Sequence, residues 1–99
     1  MSTKHLRNVS VSEFQAFLEL AQCNFIRIKA SHEIWCRSDL HRPIVFQRSK
    51  KLVPEFIVKN NLRVLAYTKK DYFDILNSEK IVVKVSQKKY KLQTAKKQN

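Results

Sequence analysis

The chain has 99 residues, 43% of them hydrophobic, and its 20 Lys and Arg against 8 Asp and Glu give a formal charge of +12. That length supports one domain with one modest core, and no apolar run reaches the roughly 18 residues needed to span a membrane. Glycine is absent, where average usage puts about seven in such a chain, so phosphate-cradling glycine loops of the Walker and dinucleotide types are excluded, and nucleotide-cofactor chemistry is not expected.

The positive charge is uneven. Residues 1–79 carry 13 basic and all 8 acidic side chains, whereas residues 80–99 carry seven lysines and no acid. A basic surface suits a polyanion, although a basic tail can also be merely solubilising. Met1-Ser2-Thr3-Lys4-His5 lacks the apolar core of a signal peptide. A cytoplasmic protein is therefore expected, with Cys23 and Cys36 as reduced thiols.

Residues 1–9 read as a loose lead-in. Ser10-Val11-Ser12-Glu13 forms a capping box, with Val9 and Phe14 placed as a hydrophobic staple. Val11, Phe14, Leu18 and Ala21 then recur at helical spacing, joined by Phe17 and Leu20, and Asn24 is the expected left-handed stop. Three short extended runs follow at 25–29, 33–37 and 42–48, linked by turn residues, which predicts an antiparallel meander. Pro43 cannot donate to a ladder and belongs at a strand start or edge. Pro54 fits the first turn of a helix continuing to about Leu65. Thr68-Lys69-Lys70-Asp71 caps a short third helix through Tyr72, Phe73 and Leu76. Ile81–Val85 suits a short strand, and the Lys-rich remainder is expected to be mobile.

The order helix, three strands, helix predicts a two-layer α+β domain: a three-stranded antiparallel sheet with helices on one face. The other face is expected to be open. If Ile26, Ile28, Ile34 and Cys36 pack on the helices, then Arg27, Lys29, Trp35 and Arg37 project together from the open side. Cations beside an indole suit phosphates plus a stacked base. A plain solvated face with one half-covered tryptophan fits the same pattern.

His32 follows the Ala30-Ser31 turn. Strict alternation places it on the face of Ile34, as a core histidine would be, but a residue beside a turn can reach the rim of the sheet. Cys23, His32 and Cys36 are all metal-ligand types, yet four residues of strand span about 13 Å, too far for His32 and Cys36 to share one zinc. The acids Asp39, Asp71, Asp74 and Glu79 show no cluster for a two-metal nuclease, and Ser31 lacks an acid–histidine relay. Metal-free RNA cleavage remains. RNA carries its own nucleophile, the 2′-hydroxyl, and an imidazole with an ordinary pKa of about 6.5 can move its proton. Neighbouring Lys and Arg can offset the charge that develops on phosphorus.

The capped helix, Phe25-Ile26-Arg27-Ile28-Lys29-Ala30-Ser31-His32-Glu33-Ile34-Trp35, the basic third strand and Lys50-Lys51-Leu52-Val53-Pro54 opening a helix resemble the HicA toxin family. Thr68-Lys69-Lys70-Asp71-Tyr72-Phe73 resembles that family's final short helix. The sharpest match is Ser31-His32 with the aromatic Trp35. Ala30 stands where the family has glycine, and Gln47-Arg48 where it tends to place proline and histidine. The resemblance covers about residues 10–77. It implies an α-β-β-β-α, double-stranded-RNA-binding-like fold over 1–79, with 80–99 as a short C-terminal extension. It also implies a metal-independent ribonuclease that cuts messenger RNA without a cofactor and a HicB-type antitoxin as partner. On this reading His32 is the catalytic acid/base. The candidate RNA contacts are Arg27, Lys29, Ser31, Trp35, Arg37, Arg48 and Lys50. A non-catalytic RNA- or DNA-binding module on the same fold is the alternative. A third possibility is a subunit whose Ile81–Val85 strand pairs with a partner's sheet edge.

Overall fold

Ser10 sets the start of the first helix: its Oγ accepts the Glu13 backbone N–H at 3.0 Å, satisfying one donor that a helix N-terminus leaves open. The structure is a computed structural model describing residues 5–95. In chain order its elements are β1 (Val9–Ser10), α1 (Val11–Leu20), β2 (Asn24–Lys29), β3 (His32–Cys36), β4 (Ile44–Gln47), β5 (Leu52–Val53), α2 (Glu55–Leu65), α3 (Lys69–Leu76), β6 (Lys80–Ser86) and β7 (Lys89–Thr94).

The helix boundaries follow from local chemistry. The carboxylate of Glu13 accepts the Tyr72 hydroxyl at 2.6 Å, tying α1 to α3 in place of the reciprocal capping bond. Gln22, not Asn24, takes the left-handed position after α1, with φ 64°. Pro54 precedes α2, where its missing N–H costs nothing. Thr68 and Asp71 form both halves of the α3 capping box, at 3.0 and 2.9 Å.

The strands form an antiparallel sheet in the order β2-β3-β4, with two-stranded pairs β1-β5 and β6-β7 beside it. In register, Lys29 faces His32, Ile28 faces Glu33, Arg27 faces Ile34 and Phe25 faces Trp35, with an irregularity between Phe25 and Arg27. Across the next ladder His32 faces Gln47, Glu33 faces Phe46, Ile34 faces Val45 and Trp35 faces Ile44. One sheet face therefore carries Glu33, Trp35, Ile44 and Phe46, all buried. There the Phe46 ring meets Phe14 of α1 edge-on at 5.0 Å. Phe17, Leu18, Val58, Leu62, Leu65, Tyr72 and Ile75 complete the core from the three helices. The molecule is thus an α+β domain of three helices and antiparallel sheets.

Three expectations change. The lead-in is not loose where it is described: Leu6 and Val9 are buried in the core, and Val9 pairs with Val53. Ile26 and Ile28 do not pack beneath the helices but stay 52% and 46% exposed, because β2 is an edge strand. The region after residue 79 is a hairpin, not one strand and a mobile tail. Val82 is buried in the core, and Gln22 Nε2 donates to its carbonyl at 2.6 Å. Residues 96–99 of the expected tail lie outside the described residues.

Candidate nucleic-acid interface

Two left-handed residues shape the site. Ala30 and Ser31 have φ of 49° and 66°, the sign a two-residue type I′ hairpin demands at both central positions. For residues other than glycine this conformation costs about 1–2 kcal/mol each. The turn is held from both sides. The Arg48 N–H donates to the Ser31 carbonyl at 2.9 Å, and His32 Nδ1 lies 3.0 Å from the Ala30 carbonyl oxygen. A carbonyl only accepts, so Nδ1 is the donor in this contact. The ring is exposed at the sheet rim.

The short loop also decides what surrounds the ring. Lys29 is the direct cross-strand neighbour of His32, and Gln47 flanks it on the other side; such pairs keep their Cβ atoms about 4.5–5.5 Å apart. Arg27 lies on the same face two residues along. Ile34 and Val45, partly buried, form the apolar floor between them. Alternation does put His32 with Ile34, but their face is the open one.

Trp35 and Arg37 belong to the opposite face and are corrected. Trp35 is 5% exposed, its indole N–H donating to Glu33 Oε1 at 2.9 Å. Arg37 is equally buried. It grips Asp39 through Nε and Nη2 at 2.7 and 2.9 Å, while Nη1 reaches the Ala21 carbonyl and the Tyr67 hydroxyl at 2.8 and 3.0 Å. Neither side chain is presented to a ligand on the open face. Burial alone would lower the Arg37 pKa, but Asp39 and Tyr67 outweigh it and hold the guanidinium above its ordinary value. Burial pushes the nearby Cys23 thiol up to about 11, against the pull of Arg37. Both Cys23 and Cys36 are free thiols.

Arg48 shares the turn through its backbone, yet its side chain pairs with Glu33 at 3.6 Å, on the face away from His32. Ser31 and Lys50 are exposed, Ser31 in the turn and Lys50 in the link from β4 to β5. The open face thus unites His32, Lys29 and Arg27, and adds Gln47, which the sequence pattern did not single out. The two-residue loop fixes Lys29 opposite His32, whereas Gln47 meets His32 across the β3-β4 ladder, whose longer link carries no such signal. Among the described residues no three His, Cys, Asp or Glu side chains come together to hold a metal. No described helix is long and apolar enough to cross a membrane. No protein-family model, curated protein or solved structure matches the chain.

Proposed function

We propose that this chain is a metal-independent endoribonuclease, a HicA-like toxin that cuts messenger RNA in the cytoplasm, with His32 as its acid/base group. One observation carries the reading: an exposed imidazole whose Nδ1 is engaged by a backbone carbonyl, which leaves Nε2 for the substrate, beside Lys29 in register. Nε2 takes the 2′-hydroxyl proton, and the 2′-oxygen attacks the adjacent phosphorus. The bond to the 5′-oxygen then breaks, and that oxygen leaves with a proton from the imidazolium or from water. A 2′,3′-cyclic phosphate and a 5′-hydroxyl result. Lys29 and Arg27 offset the charge gathering on the phosphoryl oxygens. DNA has no 2′-hydroxyl and is spared. A HicB-type antitoxin covering this face is the partner that the family resemblance implies.

The test is incubation of the protein with mixed RNA in chelator. Cutting that leaves cyclic phosphate ends, reduced about 100-fold or more in a folded His32→Ala variant, supports the reading; intact RNA with the unaltered protein overturns it. Gln47 opposite His32 favours a second reading, because this neighbour cannot serve as a second proton donor with a pKa near neutrality. A non-catalytic RNA-binding module then keeps its RNA affinity and never cuts.

A further inference from the structure

We infer that the cleft between α2 and the segment entering β4 binds a nucleotide of single-stranded RNA, a few positions along the strand from His32; this rests on the RNA reading above. The cleft encloses about 740 Å³. Its rim carries His41, Arg42 and Arg63, and its floor Val45, Ile57 and Val64, with no carboxylate in its lining. Cations over an apolar floor match the two ends of a nucleotide: phosphate on guanidinium, base face on aliphatic carbon.

The polar groups are held in place before any ligand arrives. Arg63 Nη1 donates to Asn60 Oδ1 at 2.7 Å, which restrains the guanidinium on the helix surface. Asn61 is 6% exposed, and its Nδ2 donates to the Val45 carbonyl at 3.1 Å. That bond fixes the carboxamide plane and caps part of the β4 edge. A fixed amide is the kind of group that reads a base edge.

Val45 connects the two regions. It lines the cleft and also lies on the open sheet face opposite Ile34. Gln47 faces His32, and the cleft lining runs from Val45, two residues earlier, back to Arg42, five residues earlier and about 16 Å along an extended chain. The distance to Arg42 takes roughly five stacked nucleotides at about 3.4 Å each. The strand is single, because duplex RNA keeps its bases stacked inward and cannot offer one to a pocket.

The experiment uses the full chain carrying His32→Ala, so that the probe is not consumed. Labelled single-stranded RNAs of 3 and 10 nucleotides and a 10-base-pair duplex are titrated, with and without Arg42→Ala and Arg63→Ala together. Both arginines are exposed, and an unchanged melting temperature verifies the fold. The arginine changes should weaken the 10-mer at least tenfold, lower its salt slope by about 2, and leave the 3-mer within twofold. Addition of the 10-mer to the intact cleft should shift the side-chain amide signals of Asn60 and Asn61. Unchanged 10-mer affinity, silent amide signals or equally tight duplex binding overturns the cleft assignment and spares the His32 reading. Cleft-dependent binding by a wild-type chain that never cuts overturns the nuclease instead. No RNA binding at all overturns both.

Discussion

The guanidinium carbon of Arg37 sits 4.5 Å from the ring centroid of Tyr90, and this contact joins the buried Val82 in tying the C-terminal hairpin to the fold. Arg37 also holds the carbonyl ending α1 and the Tyr67 hydroxyl beyond α2, so one side chain closes three junctions. Removing a buried, fully bonded cation leaves its partners unsatisfied, at a cost of about 3 kcal/mol. Arg37→Ala should therefore lose about that much in urea denaturation. Tyr90→Ala should lose about 1–2 kcal/mol and speed amide exchange within β6 and β7. An Arg37→Ala protein within about 0.5 kcal/mol of wild type would refute the clamp.

Arg37 also shows where sequence pattern runs out. Its contacts Ala21, Tyr67 and Tyr90 are far away along the chain, and period-two alternation gives no hint of them. The capped helices were legible because Ser10 with Glu13 and Thr68 with Asp71 are local, three-residue arrangements. The turn at Ala30-Ser31 was legible too, and with it the placement of His32 beside that turn, although the strand begins at His32 and not at Glu33. The faces were not. A two-residue loop sets Lys29 against His32, so β3 presents Ile34 to the open side and Trp35 to the core, contrary to the pairing assumed from hydrophobicity. Arg27 follows Lys29 onto the His32 face, and the irregularity between Phe25 and Arg27 then turns Phe25 to the Trp35 side. In β7, Tyr90 and Leu92 alternate with polar residues, a strand signal masked by the lysine content of the tail.

With no glycine to take left-handed positions, the chain puts Ala30, Gln22, Ala66 and Ser78 there, among others. Ala66, φ 63° after α2, is exposed and packs against little, so Ala66→Gly isolates the backbone term. Relief of about 1–2 kcal/mol against a glycine entropy cost of about 0.4–1 kcal/mol leaves a net gain of about 0.5–1 kcal/mol. Thermal melts should rise by a few degrees. A lower melting temperature would show that the strain is not there.

Lys80 Nζ anchors the hairpin base between Asp71 and Asp74, at 2.8 and 3.5 Å. Partial burial pushes Asp71 up, but Lys80 and Thr68 prevail and hold it below its ordinary 3.8. Asp74 is lowered chiefly by Lys70, with help from Lys80, and Lys80 is raised above 10.5 chiefly by Asp71. Carboxylates depressed by folding stabilise above about pH 3.8 and lose that contribution as pH falls through their folded values. Raised Lys80 contributes below 10.5 and loses it as pH climbs past its folded value. Lys80→Ala should thus melt below wild type at pH 7, with the gap closing near pH 2. A gap of equal size at both pH values would contradict the ion-pair account.

Glu33 is 2% exposed and accepts from Gln15 Nε2 at 2.6 Å and from Trp35 Nε1 at 2.9 Å, with Arg48 as its ionic partner. A carboxylate meets these donors because both of its oxygens accept. The isosteric Glu33→Gln keeps the shape but turns one acceptor into an NH₂ group aimed at a donor. That leaves a buried donor unpaired, at a cost of about 1–3 kcal/mol. Glu33→Leu should cost about the same, because the Trp35 N–H then has no acceptor. Both losses are read from chemical denaturation followed by Trp35 fluorescence. The Gln variant should also loosen the Ala30-Ser31 turn, since Arg48 joins Glu33 through its side chain and Ser31 through its backbone. Faster amide exchange at Arg48 is the direct sign of that coupling. Unchanged exchange together with lost stability would confine Glu33 to holding Trp35 and α1, and leave the turn to His32 and its carbonyl partner.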